Sequence, residues 1–213
     1  MRQLIDMQTV IAGLRASAPE ALPFAPALDI RAFLLERADG NVVIYSTRGL
    51  ELQPGCAERQ YLNHRHEALF AAAGVDAPLF CHEEERASVA QRAHVRGSFS
   101  RRHLLGDDLE VIPTPGHTSG ATAFLWDSGE HRCLFTGDTI YLDEGEWVAA
   151  LLEGSSDRAA YVSSLELLGE LDFDVLVPWA ATGGEPFHAA TSAADARRRI
   201  GAIAERLRRG DNR

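Results

Sequence analysis

The chain has 213 residues, of which 46% are hydrophobic and 24% charged, a balance that predicts one globular domain with a sizeable core. The formal net charge of −10 opposes a nucleic-acid partner, because phosphate backbones attract basic surfaces. The three cysteines form no CxxC pair, and no apolar stretch is long enough for a membrane span or a signal peptide, so we predict a cytoplasmic protein with no membrane partner.

The first half of the chain is predicted to be rich in strands. Residues 1–27 form an N-terminal extension, with a helix over residues 3–16 that ends at a proline-spaced stretch. An Ala-Asp-Gly-Asn turn at residues 38–41 joins two strands and has the composition of a hairpin turn. The strands cover residues 28–36, 41–46, 60–63 and 78–81, and further helices cover residues 67–73, closed by Gly74, and 83–93.

The second half repeats this order, with strands first and a long helix at the end. Strands are predicted over residues 101–105, 109–113, 121–126, 132–135, 146–152 and 174–177, and helices over residues 157–171 and 192–209. Strands that dominate each half and a helix that closes it predict sheets packed face to face with helices outside. The expected fold is therefore a four-layer α/β sandwich, formed by residues 1–213 as a single domain.

Three short motifs place histidine and aspartate side chains at strand ends. In His64-Arg65-His66, imidazoles at i and i+2 of an extended stretch point to the same side. His117 lies in a Pro-Gly-His-Thr-Ser-Gly turn, whose glycines let the backbone bend sharply. Asp138 ends the apolar strand of Phe-Thr-Gly-Asp-Thr, where a carboxylate faces a crevice. Three imidazoles and a carboxylate predict a divalent-metal site, for Zn²⁺ first and for Fe²⁺ or Mn²⁺ as alternatives.

Together these motifs resemble the metallo-β-lactamase superfamily over residues 28–180. The resemblance rests on the leading hairpin at residues 29–48, the HxH element, the PGHT element and the FTGDT element. It implies an αβ/βα sandwich with the metal site at the edge where the two sheets meet. This expectation agrees with the order of the predicted elements.

The chain also departs from the family pattern. The family's first motif reads HxHxDH, but here Ala68 and Leu69 stand in place of its Asp and second-site His. The family's last metal-ligating His corresponds to Ala180 or a neighbour, and the leading hairpin ends in Tyr45-Ser46 where the family usually has an Asp. Every ligand that is unique to the second metal is therefore missing.

The ligand set that the resemblance implies for the other metal is complete: it comprises His64, His66, His117 and Asp138. Loss of one set alone argues that the other is still used, so we predict a site for one metal. Trp179, next to the position of the lost histidine, is expected to fill the vacated second site with an apolar ring. His188 is the one further histidine that is considered as a displaced ligand.

A one-metal site predicts a metal-dependent hydrolase that acts on a small ester, thioester or lactone-like molecule, with Asp138 assigned as the catalytic residue. The family's Asp of the DH pair orients water and accepts its proton, which Ala68 cannot do. Glu67 is expected to point to the opposite face if the strand geometry continues. The acidic run at residues 83–85 either approaches the site or serves as partner of a helix dipole.

Two other functions stay open at this point. The first is a catalytically inactive member that binds a small molecule or a protein partner. The second is a mononuclear iron oxygenase of the persulfide dioxygenase type, with His64, His117 and Asp138 as a facial triad. Those oxygenases resemble their hydrolase relatives in keeping the full HxHxDH motif, which disfavours this second alternative. The segment before Leu28 leaves a homodimer open.

Overall fold

The computed structural model describes residues 7–71 and 75–212 of the chain. The strands in this part are β1 (Gln8–Ile11), β2 (Leu14–Ala16), β3 (Glu20–Leu22), β4 (Ala25–Ile30), β5 (Phe33–Leu35), β6 (Val42–Ile44), β7 (Arg59–Tyr61), β8 (Leu79–His82), β9 (Val95–Phe99), β10 (His103–Leu105), β11 (Leu109–Pro113), β12 (Thr122–Asp127), β13 (Arg132–Gly137), β14 (Tyr141–Asp143), β15 (Glu146–Val148), β16 (Val175–Pro178), β17 (Ala180–Thr182) and β18 (Ala189–Ala190). The helices are α1 (Arg86–Val89), α2 (Arg158–Gly169) and α3 (Ala193–Arg208), and 3₁₀ segments cover Arg65–Phe70 and Glu83–Glu85.

The described strands form three sheets. A seven-stranded sheet has the order β1-β2-β5-β6-β7-β8-β9, and a six-stranded sheet has the order β10-β11-β12-β13-β16-β18. A five-stranded sheet has the order β15-β14-β17-β4-β3. Strands β6, β7 and β8 run parallel to one another, as do β13 and β16, so their carboxyl ends point to one edge of each sheet. Functional side chains are usually found at such an edge.

Two apolar cores separate the layers. The first lies between the seven-stranded and six-stranded sheets and includes Phe33, Phe124 and Phe135. The second lies between the six-stranded sheet and helices α2 and α3, and it includes Leu165 and Ile200. Strands β12 and β13 are covered on both faces, which explains why they read as continuous apolar runs in the sequence. The predicted layered α/β sandwich is confirmed.

The N-terminal segment differs from its prediction. A helix over residues 3–16 was expected, but the described part forms the antiparallel strands β1 and β2, and β2 pairs with β5. Leu14 and Ala16 are buried on one face of β2 while Arg15 lies between them half-exposed, which is the period of a strand. The helix prediction is therefore wrong for residues 8–16, and residues 3–6 lie outside the described residues.

Three other predictions need correction. The single strand expected over residues 28–36 is broken at Arg31-Ala32 into β4 and β5, which belong to different sheets. The helix expected over residues 83–93 is reduced to a 3₁₀ segment and the one-turn helix α1, and strand β9 after it was not predicted. The helix expected over residues 67–73 is the 3₁₀ segment Arg65–Phe70, and its predicted end at Gly74 lies outside the described residues. None of the helices in the described part of the chain combines the length and apolarity needed to cross a membrane.

An ion pair between the buried Arg37 and the partly exposed Asp108 connects the seven-stranded and six-stranded sheets. The Arg37 side chain, which is 1% exposed, donates from Nε and Nη2 to the two carboxylate oxygens of Asp108 at 2.9 and 2.5 Å. Arg37 Nη2 also donates to the Leu105 carbonyl at 2.7 Å, and Trp126 Nε1 donates to Asp108 at 3.1 Å. A buried guanidinium needs this carboxylate, because without it a charge would be left unpaired in the core.

We expect Asp108→Asn to lower the free energy of unfolding by about 2–3 kcal/mol at pH 7. The hydrogen bond from Arg37 holds the pKa of Asp108 below its usual range. The contribution of the pair is therefore complete above the unfolded-state pKa of about 3.9 and is lost as the pH falls through the lower folded-state value. Urea unfolding of the wild type and the variant should show a difference in the free energy of unfolding that becomes smaller below about pH 4. Asp107→Asn, which removes an exposed neighbouring carboxylate, is the control; equal losses in both variants would contradict this role.

Candidate metal centre

The four predicted ligand residues meet at one edge of the sandwich. His64 follows strand β7, and His66 lies two residues later in the 3₁₀ segment Arg65–Phe70. His117 lies in the loop between β11 and β12, and Asp138 directly follows β13. Each side chain thus comes from the end of a strand, and the seven-stranded and six-stranded sheets contribute two each. The structure brings together all four residues that the sequence selects.

The distances between these side chains suit a metal ion. His64, His66 and His117 each offer a ring nitrogen, and these three atoms lie within 4.8 Å of one another. His66 Nδ1 and His117 Nε2 are 3.2 Å apart. Two nitrogens on a tetrahedral Zn²⁺ at its usual bond length are separated by about 3.3 Å. The pair therefore matches the edge of such a coordination polyhedron.

Asp138 faces the same point. Its Oδ2 atom is 3.3 Å from His64 Nε2 and 3.6 Å from His117 Nε2. The approach to His64 is out of line for a hydrogen bond, and within the described residues the buried Nε2 atom of His64 has no hydrogen-bond partner. A buried ring nitrogen without a hydrogen-bond partner is unfavourable, and a metal ion in place of its proton is a group that would satisfy it. The residues present therefore fit a divalent ion.

The second nitrogen of His64 is held by Glu67. Both side chains are completely buried, and His64 Nδ1 is 3.1 Å from Glu67 Oε1. The same oxygen accepts hydrogen bonds from the backbone N–H groups of Asn63 at 2.9 Å and His64 at 3.3 Å. This contact places the His64 proton on Nδ1 and turns Nε2 toward the site, as in many metal-ligating histidines.

The expectation that Glu67 alternates to the opposite face of a strand is wrong in its geometry, although Glu67 does not line the cavity and contacts His64 from behind. It assumed that the strand continues through residue 67, but the chain leaves the extended conformation after His64 and enters a 3₁₀ turn. Glu67 is the third residue of that turn, and its carboxylate reaches back to the residues before it in a capping box. A side chain at this position faces the start of the turn, where His64 lies.

His117 is oriented by backbone atoms. Its Nδ1 donates to the Ala150 carbonyl at 2.5 Å, which leaves Nε2 free to face the site. The Ala150 N–H in turn donates to the Tyr161 hydroxyl at 3.0 Å, and that hydroxyl donates to the Thr139 carbonyl at 2.8 Å. Tyr161 on helix α2 thus ties the loop that orients His117 to the loop that carries Asp138. No sequence motif pointed to Tyr161.

The electrostatics of the site favour a cation. Burial alone would lower the pKa of His64, but the carboxylates of Asp138 and Glu67 raise it to about 10. Burial lowers the pKa of His66 and of His117 to about 4 each, so both rings are neutral and offer lone pairs. Burial would raise the pKa of Asp138, yet the charge of His64 holds it below its usual range. The His64 ring thus carries a positive charge between the Glu67 and Asp138 carboxylates, and a divalent ion beside its Nε2 atom would take the place of the proton there.

Of the acidic run at residues 83–85, one member supports the site from behind. Glu85 is fully buried and accepts from the backbone N–H of Gly120 at 2.7 Å and from that of Arg65 at 2.9 Å. It thus joins the loop of His117 to the turn of His64 and His66. Glu83 and Glu84 are exposed. The run does not supply a side chain to the metal centre itself.

Tyr45, at the end of the leading hairpin, supports Asp138. Its ring is buried, and its hydroxyl accepts from the Gly137 N–H at 2.7 Å and donates to the Val177 carbonyl at 2.8 Å. The backbone at Tyr45 has φ of 70°, a conformation that non-glycine residues seldom adopt. The hydroxyl therefore connects the ends of β13 and β16. In the sequence, this end of the hairpin differs from the family pattern only by lacking the usual Asp.

A family model of the metallo-β-lactamase superfamily matches residues 32–180 of the chain. The chain belongs to the metallo-β-lactamase superfamily. Members of this superfamily fold are metal-binding hydrolases, and the structural neighbours confirm the fold. The metallo-β-lactamase from Hirschia baltica has a TM-score of 0.67 at 11% identity, with 95% of this chain and 98% of that chain covered.

Two further proteins are similar to this chain. The metallo-β-lactamase FIM-1 from Pseudomonas aeruginosa, solved in its mono-zinc form, has a TM-score of 0.66 at 12% identity, with 94% of each chain covered. The hydroxyacylglutathione hydrolase of Xanthomonas axonopodis pv. citri (strain 306) is 30% identical over 156 residues, which are 67% of this chain and 57% of the relative. The chain therefore spans less than two thirds of that curated relative's length.

The side of the cavity formed by the residues that replace the predicted second-metal ligands is apolar. Leu69 and Trp179 line the cavity at the metal centre, as does Ala180, and Ala68 is buried in a neighbouring apolar cluster. The Trp179 indole lies edge-on to the His64 ring, with 5.5 Å between ring centroids, and its Nε1 donates to the Ser46 carbonyl at 3.0 Å. None of these side chains offers a ligand atom. His188 packs against Phe187 and, within the described residues, is not part of the cavity wall.

We expect Glu67→Ala to weaken Zn²⁺ binding by about 10- to 100-fold, because His64 loses the group that orients its ring. Glu67→Gln keeps an oxygen that can accept from His64 Nδ1, so its loss should be smaller. The affinities can be measured by competition with a chromogenic chelator. Glu84→Ala, which removes an exposed carboxylate from the neighbouring segment, should bind Zn²⁺ as the wild type does. Unchanged affinity in folded Glu67→Ala protein would show that this carboxylate does not orient His64.

Proposed function

We propose that this chain is a metal-dependent hydrolase that uses one metal ion to cleave a small thioester. The observation that carries the proposal is the meeting of three imidazole nitrogens within 4.8 Å beside a cavity of about 550 Å³ that His66, His117 and Asp138 line. The thioester is favoured among esters, thioesters and lactones because the curated relative is a hydroxyacylglutathione hydrolase. That name describes the relative, and its glutathione moiety is not carried over.

We infer one metal rather than two from the composition of the site. His64, His66, His117 and Asp138 form a complete ligand set, whereas Leu69 has no donor atom for a second ion. Three imidazoles suit Zn²⁺ first, with Fe²⁺ or Mn²⁺ as alternatives. A divalent ion in this set supplies Lewis acidity, which polarises a carbonyl oxygen and lowers the pKa of water to about 7.

The residues around the ligand set have distinct tasks. Glu67 and the Ala150 carbonyl hold the protons of His64 and His117 on the nitrogens that face away from the site. Trp179 and Leu69 keep the cavity apolar, which strengthens the electrostatic interactions inside it. Among the described residues that line the cavity, Asp138 is the one carboxylate, so we assign proton transfer to it.

The reaction balances with water as the second reactant. The oxygen of water forms a bond to the acyl carbon while its proton passes to the Asp138 carboxylate. The carbon–sulfur bond then breaks, and the leaving thiolate takes that proton. The products are a carboxylic acid and a thiol, and the site returns to its starting state. Asp138 takes over the proton transfer that Ala68, at the position of the family's DH aspartate, cannot perform.

The metal content tests whether the site holds one metal ion. We expect protein purified without chelator to contain about one metal per chain by elemental analysis, and His117→Ala to lose it, because the variant removes one of the three nitrogens. His94→Ala removes an exposed histidine elsewhere and should keep the metal. Two metals per chain would contradict the one-metal site, and no metal after reconstitution would contradict the metal centre.

The Asp138→Asn variant tests the assignment of proton transfer to Asp138. We expect kcat on thioesters to fall by about 10²- to 10⁴-fold, because Asn cannot accept the proton. The metal content of the same samples, measured alongside, separates loss of proton transfer from loss of the ion. The control is Asp143→Asn in β14, beyond the cavity wall.

The wild type separates the alternative functions. A metal-loaded wild type without turnover on esters, thioesters and lactones would favour a binding protein. Bound iron with oxygen uptake would favour an oxygenase.

A further inference from the structure

The cavity at the metal centre opens through a rim of exposed apolar side chains. Four large hydrophobic side chains are exposed among the described residues, and three of them line this cavity. They are Phe24 at 71% exposure, Leu69 at 44% and Leu152 at 39%. Exposed apolar side chains are common when scattered singly, but a group around one opening marks a binding surface.

These three side chains come from separate parts of the fold. Phe24 lies in the turn of the β3–β4 hairpin, and Leu69 lies in the 3₁₀ segment that carries His66. Leu152 follows β15, close in sequence to Ala150, whose carbonyl orients His117. The apolar rim is thus built on the same turns and loops that position the metal ligands.

The charge of the cavity narrows the choice of occupant. Its lining residues in the described part of the chain include no arginine or lysine, and Asp138 adds a negative charge. Beyond the metal centre itself, a ligand with several carboxylates or phosphates would find no cationic side chain in the cavity wall to pair with. The cavity volume of about 550 Å³ is in the range of sites that enclose small molecules.

We propose that the acyl part of the substrate is an apolar chain that lies against Phe24, Leu69 and Leu152 while its carbonyl reaches the metal centre. This inference rests on the hydrolase function proposed above. It selects a fatty-acyl thioester of an uncharged thiol over a glutathione thioester. Each methylene buried against this rim should raise kcat/KM by about two- to fourfold until the cavity is full.

The test uses the metal-loaded full chain and the acetyl, butyryl, hexanoyl and octanoyl thioesters of N-acetylcysteamine, an uncharged thiol. We expect kcat/KM to rise along the series and to exceed that for S-lactoylglutathione. Phe24→Ala and Leu69→Ala should flatten this rise. Leu104→Ala, which removes a leucine that is 61% exposed outside the cavity, should leave the series unchanged. Equal rates along the series, or a preference for the glutathione thioester, would overturn the inference.

A binding measurement separates this inference from the hydrolase proposal. In two analogues of these substrates, an amide nitrogen replaces the thioester sulfur, and the acyl group is octanoyl or acetyl. These analogues cannot be hydrolysed as thioesters, so calorimetry can follow their binding to the metal-free chain. Tighter binding of the octanoyl analogue with a negative heat-capacity change supports an acyl site even if no turnover is found. Equal binding of both analogues contradicts the acyl site even if acetyl thioesters are cleaved. Sedimentation of the wild type and of Phe24→Ala tests whether the rim is instead an interface between two copies of the chain. A dimeric wild type whose kcat/KM does not depend on acyl-chain length, together with a monomeric variant, would show such an interface and refute the acyl site.

Discussion

The Glu67 carboxylate is completely buried, and it accepts hydrogen bonds from the His64 ring and from two backbone N–H groups beside it. A buried charge in a protein interior is unfavourable unless such donors surround it. The requirement acts in both directions: the turn places Glu67 where His64 needs an acceptor, and His64 supplies the positive charge that the carboxylate needs. Burial would otherwise raise the pKa of Glu67, and even with these partners it is raised to about 7.

The same principle extends through the rest of the site. Glu85, Tyr45 and Tyr161 are buried polar side chains, and each connects two loops through backbone groups. Hydrogen bonds of this kind each contribute a modest free energy, but a buried group left without its partner is costly. The loops that carry the ligands are therefore held by interactions that few alternative conformations could satisfy. Such support keeps ligand atoms in place for a metal ion.

The apolar side of the metal centre affects the chemistry of the site as well as the number of metal ions that it is proposed to bind. Leu69 and Trp179 form an apolar part of the cavity wall beside the metal centre, and they continue into the rim formed with Phe24 and Leu152. Such a wall excludes water from one side of the ligand set and leaves Asp138 as the carboxylate that faces the cavity. This apolar wall thus connects two proposals, one metal ion and an apolar acyl group.

The sequence alone predicted the candidate ligand set and the layered fold, because both predictions depend on local patterns. His64, His66, His117 and Asp138 lie in short motifs at strand ends, and apolar runs such as β12 and β13 predict buried strands. Only the tertiary structure decided the contacts that join distant segments. Glu67 faces His64 because a 3₁₀ turn replaces the expected strand, and Tyr45 reaches Gly137 across 92 positions of the chain. The apolar rim likewise forms only when a hairpin, a turn and a loop meet, and no local period in the sequence encodes that meeting.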